Sequence, residues 1–289
     1  MPDTPLTFIV GPTGVGKSDA ALFLAQRTSG EIVSCDAMQV YREVNIACDK
    51  PSPQVRNTVP HHLLDVVSVT EDFDAARYRL LAAAAIEDIQ RRGKTPIVCG
   101  GSGMYMAFLL DGIFEGSARD EGLRRHLEQE IDAKGTAVLH ERLTQVDPAA
   151  AAKIHPNDAQ RIVRALEVAL TVGRPISEVQ KERRGLWGKM PVEIFGLDRP
   201  REELYSRVEA RVDKMFERGL VDEVKALQGM TLSRTASVII GVPEVTGYLK
   251  GEYDLDRAKY LMKLNTRHYV KRQLTWFRRD ERIQWVDKI

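Results

Sequence analysis

The chain has few cysteines, and none is paired in sequence. Cys35, Cys48 and Cys99 stand apart among 289 residues, with no C-x-x-C spacing. That excludes a finger-type zinc site and a disulfide framework, and fits a reducing compartment. No run of about 18 apolar residues occurs, the length a bilayer-crossing helix needs, so no membrane contact is expected. The N-terminus lacks the basic and apolar regions of a secretion signal, because Phe8-Ile9-Val10 runs straight into a glycine loop. The expected location is cytoplasmic. Charge of one sign is missing too: 42 Lys and Arg balance 41 Asp and Glu, for a net charge of +1. No global field announces nucleic acid, so any such surface must be local. Repeats and low-complexity tracts are absent, and the length allows one large or two modest domains.

What is present begins at the N-terminus. Thr7 to Val10 is a short β-branched run that reads as a buried strand. Gly11, Pro12, Thr13, Gly14, Val15, Gly16, Lys17 and Ser18 then fit G-x-x-x-x-G-K-[ST], and helical spacing continues from Asp19 to Arg27. Strand, glycine loop and helix form the context of a phosphate cradle. Its glycines let the backbone N–H groups turn inward, and the helix adds its positive end. Lys17 supplies a mobile charge and Ser18 a hydroxyl suited to Mg²⁺. The pattern specifies a di- or triphosphate without saying which.

Strand and helix signals then alternate. Glu31 to Ser34 and Thr95 to Cys99 read as strands, Ala75 to Arg92 and Gly103 to Leu110 as helices. This βα order predicts an α/β protein with a P-loop-type, doubly wound parallel sheet. Strand signals vanish from about Gly112 and return at Val192 to Leu197. The expected organisation is a catalytic core of residues 1–112 and 188–289, with an all-α insertion over 113–187.

Sites in such sheets gather at the strand C-terminal ends. Asp36 lies just beyond the second strand, where position alone favours a turn or helix cap over a Mg²⁺ ligand or a general base. In "CGGSGMY", Gly100 and Gly101 permit close backbone approach and Ser102 offers a hydroxyl. The third strand ends in glycine rather than the metal-binding Asp of nucleotide hydrolases, which weakens a triphosphatase reading. His61-His62 reads as a loop anchor, and His155 as part of a turn capped by Asn157 or Asp158. Basic runs occur around Arg161 and Arg164, at Arg174 to Arg184, and in "NTRHYVKRQLTWFRR", where Trp276 and Phe277 interleave. Each alone is more often a solvated face, and the two aromatics more often core. Together they suggest a local phosphate-binding surface.

Several segments together carry a family resemblance: "GPTGVGKS", "SCDAMQVYR", "PHHLLDV", "GGSGMY", "DPAAAAKIHPNDAQRIVRALEV" and "KRQLTWFRRDERIQW". In this order the chain resembles the tRNA dimethylallyltransferases, in their short bacterial form. The resemblance implies transfer of a dimethylallyl group from dimethylallyl diphosphate to N6 of the adenosine 3′ to a tRNA anticodon, in a monomer that uses Mg²⁺ held through Ser18. The phosphate loop would then grip a leaving diphosphate. Carried over by motif, Asp36 is the base, Ser102 a hydroxyl beside the reacting groups, and Arg124, rather than Arg119 or Arg125, the arginine of the insertion. The anticodon stem-loop would meet Asp36, Ala37, Met38, Gln39, Ser102, Arg124, Gln160, Arg161, Ile162, Val163 and Arg164. The chain departs from the pattern where "DIGTAKP" becomes "NIACDKP", with Ala47 and Cys48 at small polar positions, and where "IGY" becomes Ile240-Gly241-Val242.

Three other readings remain at this point. A small-molecule kinase with a helical lid also has a phosphate loop and an insertion. An adenylate isopentenyltransferase runs the same chemistry on a free nucleotide, but has no use for a long helical insertion and a basic C-terminal helix. A non-catalytic RNA-binding protein would not need Lys17, Ser18 and Asp36 intact.

Overall fold

A computed structural model describes residues 5–114 and 120–287. The chain divides into two compact units, one of residues 1–109 with 187–289 and one of residues 110–186. The first opens with β1 (Leu6–Val10), α1 (Lys17–Thr28), β2 (Glu31–Ser34), α2 (Pro53–Thr58), β3 (His61–His62), α3 (Ala75–Arg91), β4 (Pro96–Gly100) and α4 (Gly103–Asp111), whose last turn runs into the second unit. The second contains α5 (Glu121–Lys134), α6 (Thr136–Val146), α7 (Pro148–Ala151), α8 (Ala159–Val172) and α9 (Ile176–Val179). The first then resumes with β5 (Val192–Leu197), α10 (Arg201–Glu217), α11 (Leu220–Ala226), α12 (Val242–Leu249), α13 (Leu255–Phe277) and β6 (Gln284–Val286).

The strands form one sheet of order β3-β2-β4-β1-β5-β6, parallel at every pairing. β1 is apolar on both faces and wholly buried, as the centre of a parallel sheet requires. From β1 the chain steps two places to β2, and later returns as β5 on the other flank. The C-terminal ends of β1 and β4 therefore sit where the order reverses, the usual crevice of such sheets.

Two strands escape the sequence reading. His61-His62 is not a loop anchor but a two-residue edge strand on β2; its length gives no alternation to detect. The histidines do diverge: His61 Nδ1 lies 2.7 Å from the Val59 carbonyl, and His62 Nε2 lies 2.7 Å from Glu31 Oε2. β6 is the other, with only three residues.

The helical unit has its own core. Leu127, Leu139, Leu143, Ile162, Val163 and Leu166 are buried together. Three of its helices start where an aspartate caps them: Asp120 on α5, Asp147 on α7 and Asp158 on α8. Asp158 therefore takes the cap expected of it or Asn157.

Candidate active site

The phosphate loop is shaped by residues that lie far from it in sequence. A Cβ on Gly11 would stand 2.6 Å from the Leu197 carbonyl oxygen, and one on Gly14 2.8 Å from Val208. At φ 142 and 83 both positions also need backbone that suits glycine. Three of the loop's carbonyls accept from basic side chains. Lys17 Nζ donates to Pro12 O at 2.7 Å, Arg207 Nε to Gly14 O at 2.7 Å, and Arg199 Nε to Val15 O at 2.8 Å. Gln273, buried on α13, accepts from Thr13 N at 2.9 Å and donates to Gly101 O at 3.0 Å. A Cβ at Gly101 would fall 2.2 Å from that amide nitrogen, so the second glycine of "CGGSGMY" is what admits Gln273.

The first glycine of that pair serves the neighbouring strand. A Cβ at Gly100 would lie 2.0 Å from Cys35 O. This close approach lets Ser102 N donate to Cys35 O at 3.1 Å, and Ser102 Oγ accepts from Ala37 N at 3.0 Å. With one lone pair so engaged, the Ser102 hydroxyl hydrogen remains to be donated. Asp36 follows directly. Its Oδ1 accepts from Met38 N at 2.9 Å and Gln39 N at 3.4 Å. The turn-cap reading is thus realised by one oxygen, which fixes the carboxylate and leaves Oδ2 to act.

Burial pushes the Lys17 ammonium down to about 8, against the opposing pull of the Asp36 carboxylate. The three thiols go the other way. Burial raises Cys99 to about 11 and Cys35 to about 12, and lifts Cys48 well above its usual value. They pack as small apolar groups and supply no nucleophile.

Two cavities adjoin at Asp36. The larger, about 690 Å³, is lined by the phosphate loop, Ser18, Asp36, Asp49 and one face of α10: Arg207, Arg211 and Lys214, with Arg218 at its C-cap. The second, about 290 Å³, is mostly apolar, lined by Met38, Val212, Met215, Ile240, Met262 and Tyr269 among others. Thr13, Asp36, Cys48 and Arg211 border both. The α10 cations escaped the sequence reading, although their signal was there: "RVEARVDKMFER" spaces basic residues by four, three and four, which places them on one helix face. Gln273 was also missed, inside a quoted motif. Phe277 is core, as expected, while Trp276 is partly exposed.

Among the described residues, no group of three or more His, Cys, Asp or Glu side chains is placed to hold a metal. The donor set here, the Ser18 hydroxyl with Asp36 lining the same cavity, suits an ion that takes few protein ligands and completes its shell with phosphate and water, as Mg²⁺ does.

The helical unit holds the other site candidates. Glu167 is fully buried and accepts from Asp120 N at 2.8 Å, Arg164 Nη1 at 2.8 Å and Arg124 Nη1 at 3.4 Å. Arg124 is thus an interior residue of α5, its charge directed at Glu167. Ile162 and Val163 are core. Their expected contact with tRNA is corrected for the side chains, because the helix turns them away from solvent. Gln160 and Arg161 are exposed, and Arg164 is partly so. Arg119 lies outside the described residues.

A parallel sheet carrying a phosphate loop, with a base candidate between a cationic and an apolar cavity, defines a P-loop-type α/β enzyme. Residues 39–280 match the family model described as IPP transferase. The chain is 46% identical over 286 residues to a tRNA dimethylallyltransferase of Geobacter sulfurreducens, covering 98% of this chain and 92% of that one. It resembles the crystal structure of a full-length tRNA isopentenylpyrophosphate transferase from Bacillus halodurans, with TM-score 0.71 and 38% identity over 98% of this chain and 89% of that one. A eukaryotic dimethylallyltransferase described as acting on tRNA gives TM-score 0.81 and 33% identity, covering 95% and 70%. The chain belongs to the IPP transferase family.

Proposed function

We propose that the protein transfers a dimethylallyl group from dimethylallyl diphosphate to N6 of the adenosine beside the anticodon of tRNA. The observation that carries this reading is the place of Asp36 on the border between a cationic cavity and an apolar one. The first suits a diphosphate. The second suits the alkyl group and a base brought out of its stack, as base-modifying enzymes require.

The adenine amine is a weak nucleophile because its lone pair is delocalised into the ring. Its proton must leave as the N6–carbon bond forms. Asp36 takes that proton on Oδ2 while Oδ1 stays anchored to Met38 N and Gln39 N. The Ser102 hydroxyl, held by Ala37 N, donates to the reacting amine or to the bridging oxygen. As the carbon–oxygen bond breaks, negative charge grows on the diphosphate, and Lys17 and Arg211, which line the cavity, meet it together with loop N–H groups. Ser18 would hold Mg²⁺ beside the phosphates, where the ion supplies further neutralising charge. Gln160 and Arg161, exposed on the helical unit, offer an anticodon stem-loop contact, and the protein works as a cytoplasmic monomer. No helix among the described residues is long and apolar enough to cross a membrane.

Labelled dimethylallyl diphosphate, Mg²⁺ and unmodified tRNA should yield labelled RNA. Label passing to free AMP with none in RNA would instead make the protein an adenylate isopentenyltransferase. ATP turnover without RNA would make it a kinase or nucleotidase.

A further inference from the structure

One carboxylate stands where the chemistry of the larger cavity has no obvious use for it. Asp49 lines that cavity and pairs with two of its cations: Oδ2 lies 3.3 Å from Arg211 Nε, and Oδ1 lies 3.1 Å from Arg218 Nη1. Each contact occupies one of the five N–H donors that a guanidinium carries. Asp49 also sits at φ 45, a left-handed position uncommon for any residue but Gly, Asn or Asp.

The loop that carries Asp49 does not depend on this carboxylate. Glu223, from α11, accepts from the backbone N–H groups of Asn45 at 2.7 Å, Ile46 at 2.7 Å and Ala47 at 2.9 Å. Lys50 is buried and donates to Tyr41 O at 2.5 Å, Asn45 Oδ1 at 3.1 Å and Asp65 Oδ1 at 2.6 Å. Asp49 is therefore held from behind while its side chain reaches across to α10. A diphosphate bound in the same cavity would seek the same two guanidinium groups.

We propose that Asp49 is a built-in competitor of the diphosphate. Its carboxylate occupies Arg211 and Arg218 when the cavity is empty, gives them up to the phosphates of the donor, and reclaims them as inorganic diphosphate departs. The exchange limits affinity for the leaving group and so hastens its release. The inference rests on the reading of this cavity as a diphosphate site.

The test is calorimetric titration of inorganic diphosphate into the full-length protein, with stopped-flow measurement of its dissociation. Asp49→Asn keeps the shape and tolerates a left-handed backbone. Asp49→Gly removes the side chain and suits the backbone better still. Both should bind inorganic diphosphate more tightly than wild type, by about tenfold for loss of one nearby, half-exposed negative charge. Dissociation should slow by a similar factor. Unchanged affinity in both variants would overturn the proposal. Weaker binding in both would overturn it in favour of a carboxylate that positions the arginines. Failure of the underlying reading looks different: wild type would not bind inorganic diphosphate, or Lys17→Ala would bind it equally well.

Discussion

The two units use arginine in opposite ways. In the α/β unit, Arg207 spends one donor on a phosphate-loop carbonyl, Arg211 and Arg218 share the half-exposed Asp49, and all three still line an open cavity. In the helical unit, Arg124 and Arg164 turn inward to Glu167, a fully buried carboxylate that also accepts from a backbone N–H. The same kind of charge thus means different things in the two units. A cation held by a neutral carbonyl keeps nearly all of its field for a ligand. A cation held by a buried carboxylate has its field cancelled and works mainly on the fold. Basic residues become a binding surface only when their partners leave the charge uncompensated, which a count of Lys and Arg does not reveal.

The comparison breaks most sharply at Asp36. Asp36→Asn keeps the shape and the Oδ1 contacts but cannot take a proton. Single-turnover transfer should fall by about 10² to 10⁴, the usual cost of losing a general base, while donor affinity stays near wild type. A parallel fall in donor affinity would make Asp36 a metal ligand instead. A fully active variant would remove the α/β unit's central residue from the chemistry.

In the helical unit the matching change is Glu167→Gln, with the effect on stability rather than on the reacting groups. It leaves Arg124, almost fully buried, without its carboxylate, and breaking a buried pair from one side costs about 3 to 5 kcal/mol. The variant should lower the unfolding midpoint and speed proteolysis within residues 110–186. Wild-type melting and protection would show that the pair is solvated in solution, and the contrast between the units would lose its physical basis.

How much of this was legible depended on whether function is local in sequence. The phosphate loop, Asp36 and Ser102 sit at strand ends beside their own motifs, so strand, loop and helix signals located them. The α10 cations declare a shared helix face but not what they face, because that depends on where the helix packs against the loop. Gln273 lies 260 residues from Thr13, and no local pattern announces a partnership of that range. Ile162 and Val163 sat in a motif whose specificity suggested contact with RNA. The alternation of exposed Arg161 with buried Ile162 and Val163 shows that part of such a motif simply builds the core. β3 and β6 were too short for any period to register.

A smaller effect concerns Lys17. Its folded value of about 8 lies below the usual lysine range, so in the free enzyme its charge is present below that pH and lost above it. The Cys99 thiol, at about 11, stays protonated across this range. Donor affinity should therefore be flat at pH 7 and fall above about pH 8, by up to about tenfold per unit. Lys17→Met should bind more weakly at pH 7 and lose the break. A break that survives in Lys17→Met belongs to another group.

The smallest expected effect tests whether any charge on the helical unit is left for RNA. Arg161 is exposed and only 3.4 Å from Asp158, whereas Arg164 is partly buried and bonded to Glu167 at 2.8 Å. The two lie three residues apart on α8, a spacing that puts them on adjoining parts of one face. An exposed ion pair is worth about 0 to 1 kcal/mol, so Arg161 can exchange Asp158 for a phosphate at little cost. Arg164 cannot do so without uncovering Glu167. Arg161→Ala should therefore weaken binding of an anticodon stem-loop a few-fold and flatten its salt dependence, because fewer counterions are released, with the melting point unchanged. Arg164→Ala should act mainly on the melting point. Titrating both variants at two salt concentrations separates the roles. Equal losses of RNA affinity with equal melting points would show that Arg164, too, faces the ligand, and that the inward turn of the helical unit's arginines ends at Arg124.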